Sequence, residues 1–196
     1  MEFSTKITNI MAAVDRRYFS PNATSERPQL IGYNATISAR SIHAMTLHYL
    51  DIQQNDNILD VGCGSGYLCS LFAYCGGIVT GIDHIPELVQ LSNDNIKRAT
   101  PHLIDKIQLH CGDGRKGYLK NAKYDKINIG AACEEIYPDL LDQMKIGGLM
   151  LLPLILSDDS EYLHLVTKTN DGFKIRKLCR VYFIPLTEKE IQMNKG

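Results

Sequence analysis

The chain has 196 residues, 44% of them apolar and 22% charged, which is enough to bury a core and excludes a disordered segment. With 21 Lys and Arg against 22 Asp and Glu the net charge is −1, so bulk electrostatics recruits it neither to nucleic acid nor to a membrane surface. A length within roughly 100–200 residues predicts a single domain over 1–196, with no repeat or linker.

In chain order, Ile7, Ile10, Met11 and Val14 fall at i, i+3, i+4 and i+7, the spacing of a short amphipathic helix. Pro21 to Pro28 is polar and turn-rich, and predicts an ordered loop. A second helix is expected from about Ser41 to Leu50, with Ser38 or Ser41 as its N-cap. From Asn57 the pattern alternates. Ile58-Leu59-Asp60-Val61 is a buried-strand run ending in glycines, and a helical pattern follows through Leu68, Leu71 and Phe72. Ile78–Asp83 is the next strand, and Pro86 opens a helix carrying Leu88, Val89, Leu91 and Ile96. Ile107–Leu109 and Tyr124–Ile129 are two more strands. Ile136–Met144 is a helix closed by Gly147-Gly148, and Leu149–Ile155 a fifth strand. Tyr162–Lys168 and Lys174–Pro185 flank Asn170-Asp171-Gly172, a β-hairpin signal.

Strand–helix alternation implies an α/β fold, a Rossmann-like doubly wound and mostly parallel sheet closed by a C-terminal antiparallel hairpin. Residues 57–196 form this core and 1–50 an N-terminal arm of helices and loop. Ligands of such sheets bind outside the carboxyl ends of the strands.

The six cysteines follow no C-x-x-C or zinc-knuckle spacing, so neither a disulfide framework nor a metal site is expected. The start, MEFSTKITN, has no basic region followed by an apolar run. Leu149–Leu156 falls far short of the ~20 residues of a membrane span. The expectation is a soluble cytosolic chain, in which the N-x-[ST] matches at Asn22 and Asn34 are chance.

The most informative segment is Asp60-Val61-Gly62-Cys63-Gly64-Ser65-Gly66. Its glycines let the chain turn sharply between strand and helix and let backbone N–H groups approach a ligand. A dinucleotide fingerprint, G-x-G-x-x-G, would set a pyrophosphate on the helix N-terminus. Here the third glycine comes one residue early and an acid precedes the first, which suits a cationic ligand such as a sulfonium or amine. An NAD-dependent oxidoreductase is disfavoured accordingly. Asp83 ends the next strand, where a carboxylate accepts from ribose hydroxyls, and Asp113-Gly114 follows the third. That aspartate either meets the edge of an adenine-like ring or forms an Asx turn.

Asp60–Gly66, Gly81-Ile82-Asp83-His84, Gly112-Asp113-Gly114-Arg115 and Gly130-Ala131-Ala132 together resemble protein-L-isoaspartate (D-aspartate) O-methyltransferases, a class I S-adenosylmethionine-dependent family. Ile31-Gly32-Tyr33-Asn34-Ala35-Thr36-Ile37-Ser38-Ala39 resembles that family's substrate-side signature, and Pro185-Leu186-Thr187-Glu188-Lys189-Glu190 its C-terminal one. The resemblance implies a seven-stranded sheet, S-adenosylmethionine as cofactor with S-adenosylhomocysteine as product, and isoaspartyl proteins and peptides as substrates of a cytosolic, monomeric repair enzyme. Cofactor contacts would come from Asp60, Gly62, Cys63, Gly64, Gly66, Asp83, His84, Asp113, Gly114, Thr187 and Gln192. Ala35, Thr36, Ile37, Ser38 and His43 would meet the substrate, with Ser38 nearest the methyl-accepting carboxylate. His43 reads equally as a satisfied buried histidine, and Cys63 as small-residue packing.

Three positions depart from the family's pattern. Arg40 and Ser41 stand where proline and histidine are usual, no glycine follows the fifth strand, and a helical segment expected ahead of Val14-Asp15-Arg16 is short. Arg40, two residues from Ser38, either pairs with an acceptor carboxylate or faces solvent. Two other readings stay open: a methyltransferase with a different carboxylate acceptor, and a pseudoenzyme adapter that binds cofactor or damaged protein without turnover.

Overall fold

A computed structural model describes residues 3–193. Helix α1 (Thr5–Ala13) starts at Ser4, whose hydroxyl accepts from the Ile7 N–H. After a 3₁₀ turn over Arg16–Tyr18, the strands β1 (Gln29–Gly32) and β2 (Ala35–Ile37) form a small antiparallel hairpin. Its turn residues, Tyr33 and Asn34, sit at φ of 55° and 54°. Helix α2 (Arg40–Leu50) leads into the alternating core: β3 (Asn57–Val61), α3 (Tyr67–Tyr74), β4 (Ile78–Asp83), α4 (Pro86–Ala99), β5 (Ile107–Cys111) and β6 (Tyr124–Ile129). Then come α5 (Pro138–Asp142), β7 (Met144–Ile155), β8 (Glu161–Thr169), β9 (Gly172–Arg180) and the short α6 (Lys189–Met193).

Seven strands form one sheet in the order β5-β4-β3-β6-β7-β8-β9. Pairs from β5 across to β7 are parallel, and β8 and β9 add antiparallel. This is the mixed sheet that the alternation and the hairpin signal predict. β3 is third in that order, flanked by β4 on one side and β6 on the other, the switch point where open α/β sheets bind ligands. Side chains of β3 alternate between two apolar layers. Ile58 packs with Leu47, Leu71, Phe72 and Ile96 on one face, while Leu59 and Val61 pack with Ile127, Leu140 and Met150 on the other. Burial on both faces explains why this strand reads as a nearly continuous apolar run.

Four local readings need correction. The helix expected over Ile136–Met144 contracts to Pro138–Asp142, because Gln143 already gives its carbonyl to the Tyr124 N–H and Met144 begins β7. Gly147, at φ +79°, and Gly148 do not close that helix but sit within β7, where its register against β6 slips. The second strand of the C-terminal hairpin stops at Arg180 rather than Pro185. Neither Ser38 nor Ser41 caps α2; Ala39 occupies the cap, and an alanine has no side-chain acceptor to offer the first turn. The β1–β2 hairpin is an addition, too short and too exposed to leave an alternating signature. Among the described residues no helix is long and apolar enough to cross a membrane, and no cluster of His, Cys, Asp or Glu could hold a metal.

Candidate active site

The carboxyl ends of β3, β4, β5 and β6 open on a cleft of about 750 Å³. Gly62 and Gly64 line it from the turn after β3, Asp83 and His84 from the end of β4, Asp113 and Gly114 after β5, and Gly130 and Ala131 after β6. The opposite wall is Ala35, Thr36 and Ser38, and the segment Tyr182–Thr187 returns over the sheet with Gln192 to complete it. That return is stitched to the core by Ala132, whose N–H donates to the Ile184 carbonyl at 2.8 Å and whose carbonyl accepts from Leu186 N–H at 2.7 Å.

The turn after β3 depends on left-handed backbone at Gly62, Gly64 and Gly66, with φ of 73°, 53° and 83°. Gly64 also lets β1 close in, since a Cβ there would lie 3.3 Å from Ile31 Cδ1. The Gly64 N–H donates to Asp83 Oδ2 at 3.1 Å, and Asp83 Oδ1 accepts from the Ile85 N–H at 3.1 Å. Asp83 thus locks the glycine turn to the start of α4 while facing the cleft. Burial lifts its carboxyl above the usual range, against the pull of these backbone N–H groups.

Asp60 sits beneath the turn, 1% exposed, with Oδ1 taking a bond from Asn128 Nδ2 (2.8 Å) and Oδ2 one from Cys69 Sγ (3.1 Å). Burial pushes its pKa up to about 6. Asp113 caps the 3₁₀ turn that follows it and is gripped by Arg115 at 2.8 Å, which holds its carboxyl below the usual range. Arg115 reaches on to Glu188 at 3.6 Å. His84 Nε2 bonds Gln192 Oε1 at 2.8 Å, and Gln192 Nε2 donates to the Tyr33 carbonyl at 3.0 Å. Asn34 Nδ2 donates to the Gln192 carbonyl at 3.0 Å, so α6, the β1–β2 turn and the end of β4 are fastened together.

Ser38 faces the cleft, and its hydroxyl has no hydrogen-bond partner among the described residues. Its carbonyl accepts from Arg16 Nη2 at 2.8 Å, and Arg16 Nη1 lies 2.9 Å from His43 Nδ1. Arg16 also stands over the Tyr67 ring, 5.1 Å from its centroid. His43 is 3% exposed, and burial, with the Arg16 charge second, keeps its pKa well below the ordinary value.

Most residues expected at the site share this cleft: Ala35, Thr36, Ser38, Gly62, Gly64, Asp83, His84, Asp113, Gly114, Thr187 and Gln192. Five stand behind its walls. Ile37, His43, Asp60 and Cys63 line a smaller adjoining cavity of about 370 Å³, and Gly66 packs on Ser92 and Ile96 of α4. Of the two readings of Arg40 the structure takes the solvent-facing one: its half-exposed guanidinium meets Glu26 at 3.6 Å and lines grooves other than this cleft. The guanidinium beside Ser38 belongs to Arg16. Val14-Asp15-Arg16 marks a place in the family's pattern but not this role, because Arg16 meets its partners through space, 22 and 27 residues away.

The model of the protein-L-isoaspartate (D-aspartate) O-methyltransferase family matches residues 1–191. The chain belongs to that family. Protein-L-isoaspartate O-methyltransferase 1 of Arabidopsis thaliana is 40% identical over 97% of this chain and 87% of its own length. A relative from Dictyostelium discoideum is 41% identical over 99% of this chain. The chain spans 66% of the length of that relative and 65% of the Arabidopsis protein-L-isoaspartate O-methyltransferase 2. Among solved structures, a Plasmodium falciparum protein described as a protein-L-isoaspartate O-methyltransferase, in complex with S-adenosyl-L-homocysteine, superposes with a TM-score of 0.86 at 26% identity. It covers 94% of this chain and 91% of that one.

Proposed function

We propose that this chain transfers the methyl group of S-adenosylmethionine to the α-carboxylate of L-isoaspartyl residues in damaged proteins and peptides, D-aspartyl residues being a second candidate acceptor. One observation carries the reading: Ser38, with a free hydroxyl, shares a single cleft with the Gly62–Gly64 turn and Asp83. Family membership and the S-adenosylhomocysteine complex of the Plasmodium structure support it.

The cleft suits the cofactor. Its lining mixes backbone N–H groups, two carboxylates and apolar side chains at the carboxyl ends of the strands, the usual place for a nucleoside-bearing ligand in such sheets. Gly62 and Gly64 leave room for close approach, and the lone pairs that Asp83 does not give to backbone accept from ribose hydroxyls. Asp113, Gly114, Thr187 and His84 complete the lining. When bound, S-adenosylmethionine supplies a methyl group on a sulfonium that is itself the leaving group. The protein's share is then alignment and exclusion of water. An acceptor carboxylate with a pKa of about 4 is ionised near neutrality, so no general base is required. Ser38 donates its hydroxyl to that carboxylate and fixes its direction. The Gln192 fastening shields the cleft. Attack of the neighbouring backbone nitrogen on the resulting methyl ester expels methanol and closes a succinimide, and hydrolysis of that ring gives partly normal aspartate, which makes the reaction a repair step. The same reading places the protein in the cytosol as a monomer acting on many unrelated chains, in keeping with six free thiols.

Labelled S-adenosylmethionine offered with matched isoaspartyl and aspartyl peptides tests this. Base-labile methyl ester is expected on the isoaspartyl peptide alone. Equal transfer to both overturns the repair reading, and transfer to neither, despite calorimetric cofactor binding, favours the adapter.

A further inference from the structure

We infer that Arg16 is a positioning residue of the acceptor side of the cleft, holding the Ser38 peptide in place and keeping a fixed positive charge behind it. The inference rests on the methyl-transfer reading only for what the charge does to substrate. The arrangement itself stands on geometry.

Arg16 is 6% exposed, and a buried arginine is ordinarily paired with a carboxylate. This one is not. Nη2 donates to the Ser38 carbonyl, Nη1 meets the His43 imidazole, and the guanidinium covers the Tyr67 ring. Nε is buried without a partner among the described residues. Neighbouring acids are engaged elsewhere: Asp15 with Arg17 at 2.7 Å, and Glu26 with Arg40 at 3.6 Å. A guanidinium stays charged at any ordinary pH, so the imidazole must be neutral and present its Nδ1 lone pair. Burying a charge against neutral dipoles alone is costly. Here that cost is incurred one carbonyl away from the hydroxyl that faces the cleft.

Two consequences follow for the acceptor. The fork ties four separate segments into one unit: the 3₁₀ turn after α1, the strand end at Ser38, His43 of α2 and Tyr67 of α3. Ser38 therefore cannot rotate its peptide without breaking a charged hydrogen bond. The uncompensated charge also lowers the energy of an anion arriving at Ser38, and a carboxylate is such an anion. Lysine cannot replace it, because a point charge does not span two acceptors as a planar fork does.

Arg16→Ala and Arg16→Lys, compared with the unaltered protein, test the inference. Loss of a charged hydrogen bond predicts a rise of roughly tenfold or more in KM for an isoaspartyl peptide, with S-adenosylhomocysteine affinity held within about threefold. Free guanidinium at sub-denaturing concentration should restore turnover to Arg16→Ala. Entry is open through a groove of about 710 Å³ lined by Arg16, Arg17, Arg40 and Tyr67. Amide hydrogen exchange supplies a readout that needs no turnover: residues 36–39 should exchange roughly tenfold faster in either variant while β3 and β4 keep their protection. Should Arg16→Ala fail to fold, Arg16→Lys carries the same measurements in the same direction. Unchanged exchange at 36–39, or cofactor affinity falling in step with peptide use, overturns the inference. An unaltered protein that methylates no isoaspartyl peptide overturns the proposed reaction instead, and the exchange measurement still decides Arg16.

Discussion

Ser38 presents two polar groups with separate duties. Its carbonyl is taken by Arg16, and its hydroxyl is left for whatever enters the cleft. Replacing it with alanine removes the hydroxyl alone. Ser38→Ala is therefore expected to lower kcat for an isoaspartyl peptide by roughly tenfold or more while S-adenosylhomocysteine affinity, read by calorimetry, stays within about threefold. Equal losses in both would refute a role confined to the acceptor. Arg40 is the contrasting case. Its contact with Glu26 is at the surface, where such pairs contribute about 0–1 kcal/mol. Arg40→Ala should leave both KM for the peptide and the melting temperature nearly unchanged, and a large rise in KM would restore its pairing with substrate.

Among elements, the C-terminal strap has the clearest mechanical role. From Val181 onward the chain leaves β9, crosses the carboxyl ends of the parallel strands and ends in α6, fastened by the Gln192 amide to His84 and to the Tyr33 carbonyl. Those bonds join wall to wall across the cleft. Gln192→Ala removes both, and stopped-flow measurement should show S-adenosylhomocysteine leaving roughly tenfold faster with little change in its association rate. An unchanged dissociation rate would show that the strap does not gate release. Element by element, legibility followed length and burial. β3, β4 and β6 are buried on both faces, so their apolar runs mark them directly in the sequence. The strands β1 and β2 are short and half-exposed, and α5 is little more than a single turn, with Met144 beyond it already in β7. Gly147-Gly148 resembles a helix stop, yet it serves a slip in β7, because a glycine pair signals only that the backbone departs from the ordinary.

At the scale of the molecule, the central sheet fixes both stability and site. Phe72 is fully buried against it, so Phe72→Ala should cost about 3–5 kcal/mol in urea unfolding. Asp60 adds a pH-dependent term. Its folded pKa of about 6 exceeds the ordinary 3.8, so the folded state holds the proton more tightly. Stability from this group falls as pH rises from about 4 to about 6, and the full penalty stands above that. Asp60→Asn keeps an acceptor for Asn128 and removes the buried charge. The variant should melt higher than the unaltered protein above pH 7, with the difference shrinking as pH falls toward 4. A constant difference across that range would refute the raised pKa.

The amino-acid order alone determined the sheet, the glycine turn at its switch point and the acids at the ends of β3 and β4. Each of these is written in local period or in backbone freedom. Tertiary structure alone decided which of the marked residues face the cleft. Asp60 and Asp83 both belong to strands feeding the cleft, yet Asp83 closes the turn at the cleft wall while Asp60 is sealed beneath it by Asn128 and Cys69. The guanidinium behind Ser38 is likewise a tertiary fact. Arg40 is adjacent in sequence but turned outward, whereas Arg16 reaches across 22 residues to Ser38 and 27 to His43. No local periodicity records contacts at that separation, because they form only once packing of α1, α2 and α3 brings the segments together.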